Sequence, residues 1–163
     1  MSRLAIDKAR DIHKRYPLLS FPIDMEWLVG AEGCELLSWP FLGPVKEVKQ
    51  GRWIGIATGL DERQQRYLIA HALAHHLMHR GNQLSFRDWQ KGNLLKQEHD
   101  AEECAAHILM PEPELERIGN MPVWELAEYF GVPEKLTRQR VTEFATDKEL
   151  ARWQMTSEDK PLH

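Results

Sequence analysis

The stretch RYLIAHALAHHLMHR, residues 66–80, decides how the rest of the chain is read. His71 and His75 stand four positions apart, about one helical turn, so a helix projects both imidazoles from one face. Two imidazoles in register can close on a single metal ion. His76 and His79 raise the local imidazole density, and Tyr67, Leu68, Ala70, Leu73, Ala74, Leu77 and Met78 surround the pair with apolar bulk. Such a helix is expected to be largely buried, where an unliganded ring nitrogen is costly. The bland alternative is a pair of hydrogen-bonded core histidines. A second pairing, His75 with His79, has the same spacing but strands His71 in the most apolar part.

Asp61 is the expected N-cap of this helix, with Gln64 three residues on as in a capping box, and Gly81 marks its end. Upstream, the periodicity predicts helices over 3–16 and 25–31, the second capped by Asp24. Strands follow over 34–39, 45–49 and 52–57, read as a small three-stranded antiparallel sheet. Gly55 in the last strand suggests a close backbone approach. An edge strand beside a metal cleft either pairs with an extended peptide or is simply a protected edge. Downstream come a polar loop over 82–92 anchored by Phe86 and Trp89, and a helix over 94–110 stopped by Pro111 and Pro113. Short helical patterns then cover 114–118, 123–130 and 133–145.

The fold class expected is α+β, one domain over 1–147 with a polar tail over 148–163. The net charge of −4 gives no global basic field for nucleic acid. No apolar run reaches the ~18 residues of a membrane span, and no secretory leader is evident, so the reading is cytoplasmic with no membrane partner. Cys34 and Cys104 lie far apart and form no C-x-x-C pair, which excludes a cysteine-only zinc site and makes them small buried residues.

Zinc in a hydrolytic site takes three protein ligands and leaves a fourth place open. Glu98, Asp100, Glu102 and Glu103 are the nearby carboxylates. Glu98 and Glu102 are one turn apart, with Ala101, Ala105, Ile108 and Leu109 toward the same side, so small residues let two helices approach there. Glu98 is therefore the expected third ligand, and Glu102 the group that orients a histidine N–H. A solvated acidic helix face is the alternative.

The His71 stretch together with EHDAEECAAHILMP, residues 98–111, resembles the ImmA/IrrE family of zinc metallopeptidases, which are similar to gluzincins. The family pattern is H-E-x-x-H followed by a Glu-x-x-Ala helix closing in Leu-Met-Pro. The resemblance covers about residues 22–141, sets His71, His75 and Glu98 on the three Zn2+ ligand positions, and implies a sheet packed on a zincin-type helix pair. It also implies limited proteolysis of a helix-turn-helix transcriptional repressor, often encoded on phage or mobile elements. Ala72 departs from the pattern. It occupies the position of the family's general-base Glu, which implies impaired or absent hydrolysis and leaves a non-catalytic zinc protein as the alternative.

Residues 123–145 resemble a helix-turn-helix, with Leu126, Ala127, the Gly131 turn and Leu136 at the expected places. Lys135, Arg138 and Arg140 would then meet phosphates. The favoured alternative is a helical hairpin packed on the core, since Glu125, Glu128, Glu134 and Glu143 dilute the positive charge.

Overall fold

The computed structural model describes residues 1–41, 43–78 and 91–158. Helix α1 (Arg3–Arg15) is capped by the Ser2 hydroxyl, and α2 (Met25–Ala31) by Asp24, whose carboxylate accepts from Trp27 N. Strands β1 (Glu35–Trp39), β2 (Glu47–Gln50) and β3 (Trp53–Ala57) follow, then α3 (Glu62–Met78) and α4 (Lys91–Leu109). The end is helical: α5 (Glu112–Ile118), α6 (Val123–Phe130), α7 (Glu134–Val141) and α8 (Asp147–Glu158). The chain is α+β, as expected.

The sheet is mixed, which corrects the all-antiparallel reading. Its order is β1-β3-β2, with β3 parallel to β1 and antiparallel to β2. The middle place goes to the most apolar strand, whose Ile54 and Ile56 are buried, while the polar β2 takes an edge. Gly55 admits the Phe41 ring rather than a backbone, since a Cβ there would lie 3.3 Å from Phe41 Cζ.

Asp61 caps α3 through a 2.8 Å bond from Gln64 N. Helix α3 lies between the sheet and α4, and α4 also packs on α1 and α7. Ala70, Ala72 and Ala74 of α3 and Ala101, Cys104, Ala105 and Ala106 of α4 are fully buried. Small side chains on both helices leave room for the close α3–α4 packing that the sequence implies. Leu73, Ile108 and Leu109 fill the flanks, each contributing about 1.5–3 kcal/mol by burial.

Residues 148–158 are helical rather than a loose tail, and the reason is one carboxylate. Glu149 is fully buried and forms a capping box with Thr146, Thr146 N to Oε1 and Glu149 N to Thr146 Oγ1, both 3.1 Å. Arg140, also fully buried, meets both Glu149 oxygens at 2.9 Å and donates through Nε to the Met110 carbonyl. This corrects the placing of Arg140 on a DNA-reading face, because its guanidinium is committed inside the protein. Helices α6 and α7 form a hairpin whose Gly131 sits at φ +61°, and its carbonyl accepts from Arg66 Nη1 at 2.6 Å. A Cβ at Gly131 would overlap the Arg66 guanidinium and Pro22. The expected loop over 82–92, with Phe86 and Trp89, and the Gly81 stop signal lie outside the described residues, except for the start of α4.

Candidate metal centre

Helix α3 carries His71 and His75 on one face, and α4 brings Glu98 across from them. His75 Nε2 lies 2.9 Å from Glu98 Oε1, and His71 Nε2 lies 3.2 Å from Glu98 Oε2. Among the described residues these three are the group whose ligand atoms converge, all within 4.8 Å of one another. A tetrahedral ion with bonds of about 2.1 Å needs its ligand atoms roughly 3.4 Å apart, and the two histidine-to-carboxylate separations, 3.2 and 2.9 Å, lie close to that.

The hydrogen bonding fits a cation as well. His71 Nδ1 donates to Glu47 Oε2 at 2.9 Å, which fixes the ring and leaves Nε2 as the inward atom. Nε2 is buried, and although near Glu98 it has no hydrogen bond of acceptable geometry. A ring lone pair facing a carboxylate oxygen is repulsive unless a proton or a metal ion lies between them. Burial disfavours charge on His71, but Glu47 and Glu98 together overcome it and raise its pKa to about 10. Glu98 is correspondingly held far below the usual carboxylate range by His71 and His75, against the effect of its partial burial. The two carboxylates thus create a site that demands positive charge. The histidine side chains are nearly closed off, while that of Glu98 is 51% exposed, so the cluster opens toward solvent on the α4 side.

The carboxylate behind His71 is Glu47, not Glu102 as the spacing on α4 suggests. Strand β2 supplies it: Glu47 is paired with buried Ile56, so it points to the inner face of the sheet toward α3. Glu102 is half-buried and forms no hydrogen bond to a histidine of this cluster. It lies instead with Glu47 and Glu98 around Tyr67, whose hydroxyl pKa is pushed up first by burial and then by these three carboxylates. The Tyr67 ring stacks beside His71 with centroids 5.9 Å apart, forming a wall of the site. Tyr67 was readable in the sequence, one turn before His71, whereas Glu47 faces α3 only through the β2–β3 register that pairs it with Ile56.

Ala72 is fully buried and offers no acid or base. His79 lies outside the described residues, as does His163. His13 and His107 have ordinary structural bonds, each donating through Nε2 at 2.8 Å, to the Ile108 and Phe144 carbonyls respectively. His99 pairs with Glu143 at 3.4 Å. Cys34 and Cys104 are buried and free. Among the described residues, no helix is long and apolar enough to cross a membrane.

Residues 41–142, from before β2 to the end of α7, match the family described as Peptidase_M78, IrrE N-terminal-like domain. The solved structure of a Mycobacterium tuberculosis transcriptional regulator has the same fold, with a TM-score of 0.63 at 16% identity over 85% of this chain. The match covers 46% of that protein, so this chain spans about half its length. No curated protein matches the sequence. With the family match spanning both the His71 helix and the Glu98 helix, the chain belongs to the IrrE N-terminal-like domain family, Peptidase_M78.

Proposed function

We propose that this chain is a zinc-holding regulatory domain of the ImmA/IrrE type, which engages a helix-turn-helix repressor protein and is crippled in cutting it. The observation that carries the reading is the convergence of His71, His75 and Glu98 with a bare buried Nε2 between them. Zn2+ held there would act as a Lewis acid toward a carbonyl and lower the pKa of a coordinated water. The protein's own part is orientation: Glu47 fixes the His71 ring, and Tyr67 walls it. Strand β2 is a sheet edge and contacts α3, so an extended backbone laid along it would pass near the cluster.

What is missing is a proton acceptor. Glu47 is engaged on the far ring nitrogen of His71, and Ala72 carries no ionisable group. General-base catalysis contributes roughly 10²–10⁴-fold, so peptide hydrolysis by this chain should fall by that factor. Binding of a repressor does not need the base, and a regulatory role is in keeping with a structural neighbour that is a transcriptional regulator. A repressor partner would be met in the cytoplasm, where the domain is expected to work.

Two measurements test the reading. Purified protein should carry one zinc, lost in His71→Ala and in Glu98→Ala. An Ala72→Glu variant should cleave a cognate repressor that the present chain binds intact. Retention of zinc by both alanine variants would sink the site, and an inert Ala72→Glu protein that still binds the repressor would leave a binding module rather than a disabled peptidase.

A further inference from the structure

A pocket of about 380 Å³ lies between the first turns of α3 and α7. It adjoins the metal centre through Tyr67, which lines the pocket and also stacks beside His71 with ring centroids 5.9 Å apart. Gln64, also in the lining, precedes His71 by seven residues, roughly 10 Å along α3 at ~1.5 Å per residue. An extended chain covers that distance in about three residues at ~3.3 Å each. A peptide held at the cluster can therefore place one of its own side chains here.

The lining combines uncommitted donors with apolar surface from Pro133 and buried Leu136. Arg63 is half-buried and Lys135 exposed, and neither forms an ion pair or a side-chain hydrogen bond among the described residues. Arg66, three residues after Arg63, is the opposite case: its guanidinium is committed to the Ile23 and Gly131 carbonyls. Among the described residues, the side-chain amides of Gln64 and Gln139 also make no hydrogen bond. Asp61 is the one carboxylate in the lining, and its Oδ1 caps α3 by accepting from Gln64 N at 2.8 Å. Glu134, next to Lys135 in the chain, pairs with Arg138 at 3.3 Å. Two cations thus face one carboxylate, a surplus of a single positive charge.

That surplus selects the occupant. A lysine or arginine side chain would be repelled, and a neutral one would leave both cations unanswered. A phosphate monoester brings close to two negative charges. One carboxylate on an aliphatic stem matches, with its oxygens toward Arg63 and Lys135 and its methylenes toward Leu136 and Pro133. We infer, on the reading of His71, His75 and Glu98 as a metal site that engages a partner protein, that this pocket receives an acidic side chain of the segment held there. Arg63 and Lys135 bind that side chain, and so help set which stretch of the partner is engaged.

Peptide hydroxamates test this on the full chain loaded with zinc. The hydroxamate caps the amino end in one series and the carboxyl end in the other. A single Glu is walked from the second residue to the fourth of an otherwise alanine and leucine sequence. Fluorescence polarisation compares each peptide with its Gln and Lys counterparts, with and without zinc. One Glu position should bind about tenfold tighter than its Gln counterpart, the worth of one charge-assisted hydrogen bond, and the Lys peptide should bind more weakly than either. Arg63→Gln and Lys135→Gln break no bond within the described protein, so both should fold. Each should remove most of the preference for Glu, while affinity for the Gln peptide and zinc content stay unchanged. Zinc-dependent binding with no preference for Glu at any position, or a preference that survives in both variants, would overturn the pocket and leave the metal centre standing. Binding indifferent to zinc throughout both series would overturn the metal reading and this pocket's role with it. Tight binding of short duplex DNA that both variants abolish would hand these cations to backbone phosphates and overturn the assignment as well.

Discussion

Two charged clusters lie along α4, one near its middle and one just past its C-terminal end, and they are built on opposite rules. At the Met110 end, Arg140 and Glu149 are fully buried, and each guanidinium nitrogen has an acceptor: both Glu149 oxygens and the Met110 carbonyl. Donors and acceptors match, and nothing further is needed. Near the middle of α4, Glu47, His71, Glu98 and His75 crowd acceptors together, the inward nitrogen of His71 is unsatisfied, and Glu98 reaches solvent. A closed set of charges is a structural joint. A converging set short of positive charge is a binding site. Burial and charge alone do not separate them; the balance of donors and acceptors does.

The largest effect should come from the closed cluster. Arg140→Met or Glu149→Leu alone leaves an unpaired buried charge and should cost about 3–5 kcal/mol in denaturant unfolding, whereas the double variant should recover most of it. A single-variant loss below ~1 kcal/mol would erase the difference between joint and binding site. In the open cluster the expected loss is of ligand rather than fold. Glu47→Gln keeps the strand and should weaken zinc about 10–100-fold in a competition titration, by loosening the His71 ring. Glu102→Gln, by contrast, should leave zinc affinity within about twofold, because Glu102 does not hold a histidine of the site.

Acid separates the two clusters further. His107, beside the closed cluster, is pushed down to about 3, chiefly by burial and then by Arg140. The unfolded ring titrates near ~6.5, so between about 6.5 and 3 the unfolded chain binds a proton that the folded chain refuses. Stability should therefore fall as pH drops through that window. Thermal unfolding at a series of pH values should show a shallower decline in His107→Gln. The smallest effect is reserved for Arg138→Gln. That side chain is exposed and paired only with Glu134, so stability should stay within ~0.5 kcal/mol.

Much of this was legible in the sequence because it is local. The one-turn spacing of His71 and His75, the Asp61 and Asp24 caps and the small residues at 101 and 105 each act within a turn or two, and each has its expected place. What failed depends on pairing across distance. The sheet order could not be read because a short strand's neighbour is set by where its apolar residues find cover. Glu47 was missed because its role needs the β2–β3 register to face α3. Arg140 looked like a surface cation because its partner, Glu149, lies in a segment whose composition reads as solvent-exposed, and only their mutual burial makes a helix of it.

One rod thus bears a converging cluster and an anchoring joint, roughly 18 Å apart at ~1.5 Å per residue from Glu98 to Met110. That separation lets selection edit the two independently. A chain can surrender a chemical group at position 72 without loosening its architecture, since the clamp at the far end keeps the scaffold in register. A change in the chemistry of the histidine cluster is then mechanically cheap, because the joint that holds α4 to α7 and α8 does not feel it.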